Sequence, residues 1–189
     1  MLPVGVTVLT VGRRHSGGMD MREAAEAYCQ VIEAARGSNR PQFASDVART
    51  LARAVAAAYD LVSAGIDEEG LGEAAPEPIP HERWLTCFAD IASVLTAWDD
   101  YWTTLDAYRV DDATGLPDVR ALPPADFVVN LSLADALADI WRDLRQGLNA
   151  MREGVPADNV AWEWRFSFQT HWGAHAVEAL RAIHAQVTS

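Results

Sequence analysis

Lysine is absent from this chain; all fifteen basic residues are arginine. That absence removes Schiff-base chemistry and the lysine of a P-loop together. Basic charge is scarce as well, with 15 basic against 27 acidic residues and a formal net charge of -12. Such a balance repels phosphate backbones and anionic lipid, so neither nucleic acid nor a membrane surface is an expected partner. Cysteine occurs only as Cys29 and Cys87, too few for a disulfide framework or a thiolate zinc site, and both read as reduced thiols of a cytoplasmic protein. No window is apolar for the length of a membrane span. A Gly-x-Ser-x-Gly elbow, a glycine-rich phosphate loop and a dinucleotide fingerprint are all missing.

What is there is 189 residues, half of them apolar and 22% charged. This suffices for one domain with a buried core and is too apolar for intrinsic disorder. The opening stretch through Val11 is apolar, but Arg13-Arg14 follows it, the reverse of a secretory signal. Val4, Val6 and Val8 alternate without a second strand run to pair with. Residues 1–19 are therefore expected to form a poorly ordered extension ahead of a domain over 20–187.

From Asp20 onward the pattern is helical. Asp20 is placed to cap a first helix with Ala24, Tyr28, Val31, Ile32 and Ala35 on one stripe, ended by Gly37. Asn39 and Pro41 open a second, whose stripe runs from Phe43 to Val62 before Gly65. Residues 65–79 read as a loop. A third helix starts near Pro80 and carries Trp84, Phe88, Ile91, Leu95, Trp98, Trp102 and Leu105, with Asp99-Asp100 as a candidate break. Residues 106–130 show no countable period and form the longest connection, a type often used as a cover or binding loop. Ser132 begins a fourth helix with Leu133, Leu137, Ile140, Trp141, Leu144 and Leu148 on its apolar face. A fifth, from about Asp158 to Gln186, is apolar or aromatic nearly all round, which predicts a central position. The fold expected is an all-α bundle of five or six helices with the long C-terminal helix central.

Residues able to carry chemistry concentrate on the last two helices. Asp135, Asp139 and Asp143 recur every four residues, so helical geometry stacks them on one side, together with Arg142. The ordinary reading of such a stripe is a solvated face. The sharper one is a binding surface, because stacked carboxylates favour a cation, an arginine or a metal brought to them. On the fifth helix, Arg165 lies among Trp162, Trp164 and Phe168 and needs an acid or a ring. His171 and His175, four apart, share a face with Glu178, a combination that can hold a divalent metal. Against a metal, the zinc-peptidase glutamate is replaced by Trp172, and a histidine among aromatics is ordinarily a packed, hydrogen-bonded residue. No catalytic residue, no metal and no cofactor is expected on these grounds.

The two C-terminal helices also resemble a bacterial family of domains of unknown function, the one numbered 5063. The resemblance rests on Asp135, Leu137, Ala138, Asp139, Ile140, Asp143, Leu144, Gly147 and Leu148. It continues through Trp162, Trp164, Phe166, Ser167, Phe168, Trp172, Gly173 and Ala179-Leu180-Arg181-Ala182. It spans about residues 21–186 and is strongest after 131. Ala136 and Trp141 depart from the pattern, and an upstream element is echoed only by Tyr101 and Asp106, with Leu105 and Ala107 departing. The histidine pair is not part of it. The resemblance implies an all-helical domain and brings no activity with it. Aspartates at matching positions also imply a polar network between the last two helices, in which Asp139 or Asp143 turns inward to Arg165 or a tryptophan N–H.

Two functions follow from the sequence. One is a non-enzymatic module that binds a protein or small-molecule partner through the acidic face, with Asp135, Asp139, Asp143, Arg142, Arg165 and Trp162 as candidate residues and the 106–130 loop beside them. The other is a metal-dependent hydrolase with a His/carboxylate site between the fourth and fifth helices. Metal analysis of the purified protein separates the two, as does whether the Asp and His clusters converge on one pocket; the absence of a recognisable catalytic motif favours the first.

Overall fold

The computed structural model describes residues 20–65, 77–104 and 128–188. The N-terminal extension, most of the 65–79 loop and the greater part of the 106–130 connection lie outside these residues.

Three helices begin where a capping side chain is available. The Asp20 carboxylate accepts the Arg22 N–H at 3.1 Å ahead of α1 (Met21–Glu33). Asn39 accepts from the Gln42 N–H at 3.3 Å ahead of α2 (Arg40–Ala64), with Pro41 in the first turn where a missing N–H costs nothing. Ser132 accepts from the Asp135 N–H at 3.1 Å ahead of α4 (Leu133–Arg152). Helix α3 spans His81–Leu95. The expected C-terminal helix is a rod of α5 (Ala157–Ser167), a π turn over Phe168–Trp172, and α6 (Gly173–Val187).

The third helix is shorter than its apolar stripe suggests. It stops at Leu95, where Thr96 turns to φ 50°, and a short 3-10 turn leads into a strand, β1 (Asp100–Thr104). This strand pairs antiparallel with β2 (Val128–Ser132), Asp100 facing Ser132 and Thr104 facing Val128. Trp98 and Trp102 are therefore not on α3. Tyr101-Trp102-Thr103-Thr104 and Val128-Val129 are aromatic or β-branched strand formers, and each run needed the other to become a strand. Alternation follows at once, with Tyr101 buried and Trp102 65% exposed. Residues 128–130, assigned by sequence to the long connection, belong to β2.

Asp99 joins this hairpin to α4. Its carbonyl accepts the Leu133 N–H at 2.7 Å, and its carboxylate accepts the Ala134 N–H at 2.6 Å and the Ser132 hydroxyl at 3.0 Å. A carboxylate there also sits at the positive end of the helix dipole.

The central element is α4 rather than the C-terminal rod. It packs on α1, α3, α5 and α6, and twelve of its residues are buried. On the rod, Glu163, Phe166, Gln169, Thr170, Ala174 and Val177 face outward. Its aromatic content arises from one buried face (Trp164, Phe168, Trp172) and one stack at the surface, half-buried Trp162 on exposed Phe166 with ring centroids 5.2 Å apart. No helix among the described residues is long and apolar enough to cross a membrane.

Candidate functional site

Helix α4 has two polar edges beside its apolar face. The first carries Asp135, Asp139, Arg142 and Asp143, the second Arg145. The first edge faces α3 and the π turn of the C-terminal rod, and the candidate site forms there.

Asp139 is the junction. One carboxylate oxygen, Oδ1, accepts the indole N–H of Trp84 at 3.0 Å and meets the Arg142 guanidinium at 2.9 Å. Trp84 is set for this contact by stacking between His81 and Phe88 along α3, centroids 5.5 and 5.6 Å away. The other oxygen, Oδ2, faces His171 Nε2 at 3.8 Å, beyond hydrogen-bonding distance. His171 is in turn held by Asp143, whose Oδ2 lies 2.8 Å from Nδ1. His175 completes the group, its ring 5.0 Å from that of His171 and inclined at 76°. One ligand atom each from Asp139, His171 and His175 lies within 4.8 Å of the others.

A π turn puts His171 there. In a regular α-helix His171 would share the face of Trp164 and Phe168, which is buried. The extra residue in the turn rotates it off that face, so its side chain is 37% exposed beside two aspartates that are 15% and 17% exposed. The Gly173 N–H closes the turn on the Phe168 carbonyl five residues back. Gly173 is required for this, because a Cβ there would stand 2.3 Å from that carbonyl oxygen. The sequence argument against a metal assumed a histidine packed into the aromatic core; the turn removes that premise.

The predicted residues divide accordingly. Asp139, Asp143, Arg142, His171 and His175 come together, and Asp135 stands at the exposed end of the same stripe. The expected tryptophan partner for Asp139 exists but is Trp84, from α3. Sequence placed Trp84 on a core stripe, and nothing local to it signals an aspartate 55 residues away. Within its own helix Asp139 pairs with Arg142. Glu178 belongs elsewhere: it accepts the Thr103 hydroxyl at 2.9 Å and pairs with Arg181 at 2.8 Å, tying α6 to β1. Trp162 stacks on Phe166, one turn along α5. Half-buried Arg165 lies on α5 as well.

Electrostatics mark the exposed end of the stripe. Partial burial, and next the Asp139 carboxylate, push the Asp135 carboxyl above its ordinary range, with His175 and Arg142 opposing. A carboxyl whose folded pKa lies above its unfolded one adds stability in acid, and that stability is lost as pH rises through the folded value. Asp135→Asn is therefore expected to gain on the wild type as pH rises from about 3.5 to 7. Denaturant midpoints of the two proteins across that range provide the check, and a difference independent of pH would contradict it.

Cysteine chemistry is unsupported. Burial pushes both the Cys29 and Cys87 thiols up to about 12, so neither is a thiolate at neutral pH.

Comparison with known proteins gives the fold and the family. The crystal structure of protein BF1032 from Bacteroides fragilis is similar to this chain with a TM-score of 0.66 at 18% identity, over 87% of this chain and 88% of that one. At that identity the likeness is one of fold alone. No curated protein matches. The family model for a domain of unknown function, DUF5063, matches residues 19–189. Nearly the whole chain is covered, including the hairpin, α4 and the π-turn rod, so this protein belongs to the DUF5063 family.

Proposed function

We propose that this domain is a non-enzymatic binding module whose recognition face is the acidic edge of α4, together with the connection rooted beside it. The observation that carries this reading is the state of the aspartates. Asp139 and Asp143 are pinned by N–H donors from α3, from α4 and from the rod, while Asp135 stands exposed at the same edge. Held carboxylates lose little freedom on meeting a cationic group, which is what a preorganised binding face requires. The 106–130 connection belongs to the proposal because its flanking strands are anchored at the N-terminus of α4 by Asp99, one turn from Asp135. A cytoplasmic setting accords with two free thiols and no disulfide.

A metal-dependent hydrolase is the second reading, favoured by the convergence of the histidine pair with a carboxylate of α4. In that reading the carboxylate is Asp139 in place of Glu178.

The test is enrichment of partners from the source lysate on wild-type protein and on Asp135→Lys, an exposed substitution that leaves the core intact. A cationic partner held by the wild type and lost on the variant is the expected result. Identical sets of bound proteins, with no difference between the two in thermal shift by polyamines, would overturn it.

A further inference from the structure

We propose that Asp139, His171 and His175 form a binding site for one divalent first-row transition-metal ion. The proposal rests on the acidic edge of α4 being a cation-binding face and names the cation. Its evidence is the way His171 and Asp139 are oriented, with His175 beside them. The Asp143 carboxylate, 2.8 Å from Nδ1, engages that nitrogen and fixes the His171 ring. Nε2 is left for a ligand, and it faces Asp139 Oδ2 at 3.8 Å, beyond hydrogen-bonding distance. A metal ion binding in that gap takes the place of the proton that would otherwise link Nε2 to the carboxylate.

Orientation of this kind is what surrounds protein metal sites. A ligating imidazole ordinarily donates its other N–H to a carboxylate, and Asp143 stands in that place for His171. A ligating carboxylate is ordinarily hydrogen-bonded through its second oxygen, as Asp139 is to Trp84 and Arg142. The atoms to be bridged, now within 4.8 Å of one another, need to approach to roughly 3.4 Å for bonds of about 2.1 Å in a tetrahedron. Side-chain rotation of a part-exposed histidine supplies that movement. Two imidazoles and a carboxylate select zinc, cobalt, nickel, manganese or ferrous iron over calcium and magnesium, which take oxygen ligands, and over cuprous ion, which takes sulfur. With three protein ligands among the described residues and His171 37% exposed, the ion keeps an exchangeable position. Asp143 is a positioning residue here, and the π turn with Gly173 sets the ring that it holds.

The full-length, untagged protein, stripped with a chelator, is titrated with cobalt(II) followed by visible absorption, and with zinc by calorimetry. Expected are one ion per chain with Kd of about 1 μM or tighter, visible bands of a low-coordinate cobalt centre, and a raised melting temperature with zinc. His171→Ala and Asp139→Asn should abolish the cobalt bands. Asp143→Asn should keep the stoichiometry and weaken binding roughly 10–100-fold, and Glu178→Gln should change nothing. Folding of each variant is read by circular dichroism, and the wild-type titration stands without them. Absence of stoichiometric binding to the wild type, or binding that survives His171→Ala, would overturn the metal site. If Asp135→Lys still loses a cationic partner in that event, the acidic face survives as a binding surface and only the metal is wrong.

Discussion

Gly147→Ala is expected to lower the stability of the domain by about 2 kcal/mol, even though alanine is the better helix former by about 1 kcal/mol. Gly147 lies mid-helix on α4, buried where α5 crosses it. A Cβ there would stand 2.3 Å from Nε1 and 2.4 Å from Cε2 of Trp164, far inside van der Waals contact. Trp164 is 2% exposed, enclosed by its neighbours rather than at a surface where it could swing into water. Overpacking a closed core costs about 1–3 kcal/mol and sometimes more, and a clash with a rigid indole falls at the upper end. The clash therefore outweighs the propensity gain. Urea midpoints at unchanged slope measure the effect, and a smaller ring at 164, as in Gly147→Ala/Trp164→Phe, should recover part of it. A midpoint at or above that of the wild type would show that the two helices can move apart at no cost.

Glu33→Ala is expected to cost about 2–3 kcal/mol, and the mechanism makes a sharper claim than the number. Glu33 ends α1 and accepts from Arg145 at 2.6 Å and from the Trp141 indole at 3.1 Å. The Arg145 side chain is 7% exposed, and its Nε has no hydrogen-bond partner among the described residues. Arg83 lies over the Trp141 ring at 5.6 Å, so a second cation stands nearby. Removing the acid strands a buried guanidinium, for which precedent gives about 3–5 kcal/mol. Glu33 is itself 39% exposed, and water reaching the gap trims that figure. Because the cost comes from the stranded charge, removing the charge as well should restore stability. Glu33→Ala/Arg145→Met is expected to be more stable than Glu33→Ala alone. A double variant that is the sum of its singles would show that the pair contributes by packing alone.

Much of the fold could be read from local pattern. Asp20, Asn39 and Ser132 start helices where their side chains reach free N–H groups, and the apolar stripe of α4 is buried throughout, while those of α1 and α2 are buried except for part-exposed Val31, Val55 and Val62. The misreadings have one cause. A period of three or four residues continues from Trp98 to Leu105, yet pairing of Tyr101–Thr104 with residues about 28 positions away makes a strand there. On the C-terminal rod an aromatic run suggested burial on all sides, while packing against α2 and α4 buries only the face of Trp164, Phe168 and Trp172.

The candidate site shows the same division. Asp135, Asp139 and Asp143 share an edge because helical spacing puts them there, and the histidine pair follows the same rule. Asp143 beside His171 and Trp84 on Asp139 come from three helices packing together, and no spacing within one helix reports that. Arg145 was less legible still, since arginine at a helix surface is ordinarily exposed and only the end of α1 with Glu33 makes its burial tolerable.

By itself the sequence determined the all-helical class, the caps, the central apolar faces and the exclusion of lysine- and thiolate-based chemistry. These depend on residue type and on spacing within one element, where period and side-chain chemistry act directly. Tertiary structure decided that α4 is central, that 100–104 and 128–132 are strands, and that Asp139 rather than Glu178 stands with the histidines. Each of these turns on contact between distant segments, whose free energy exists only once the chain has folded.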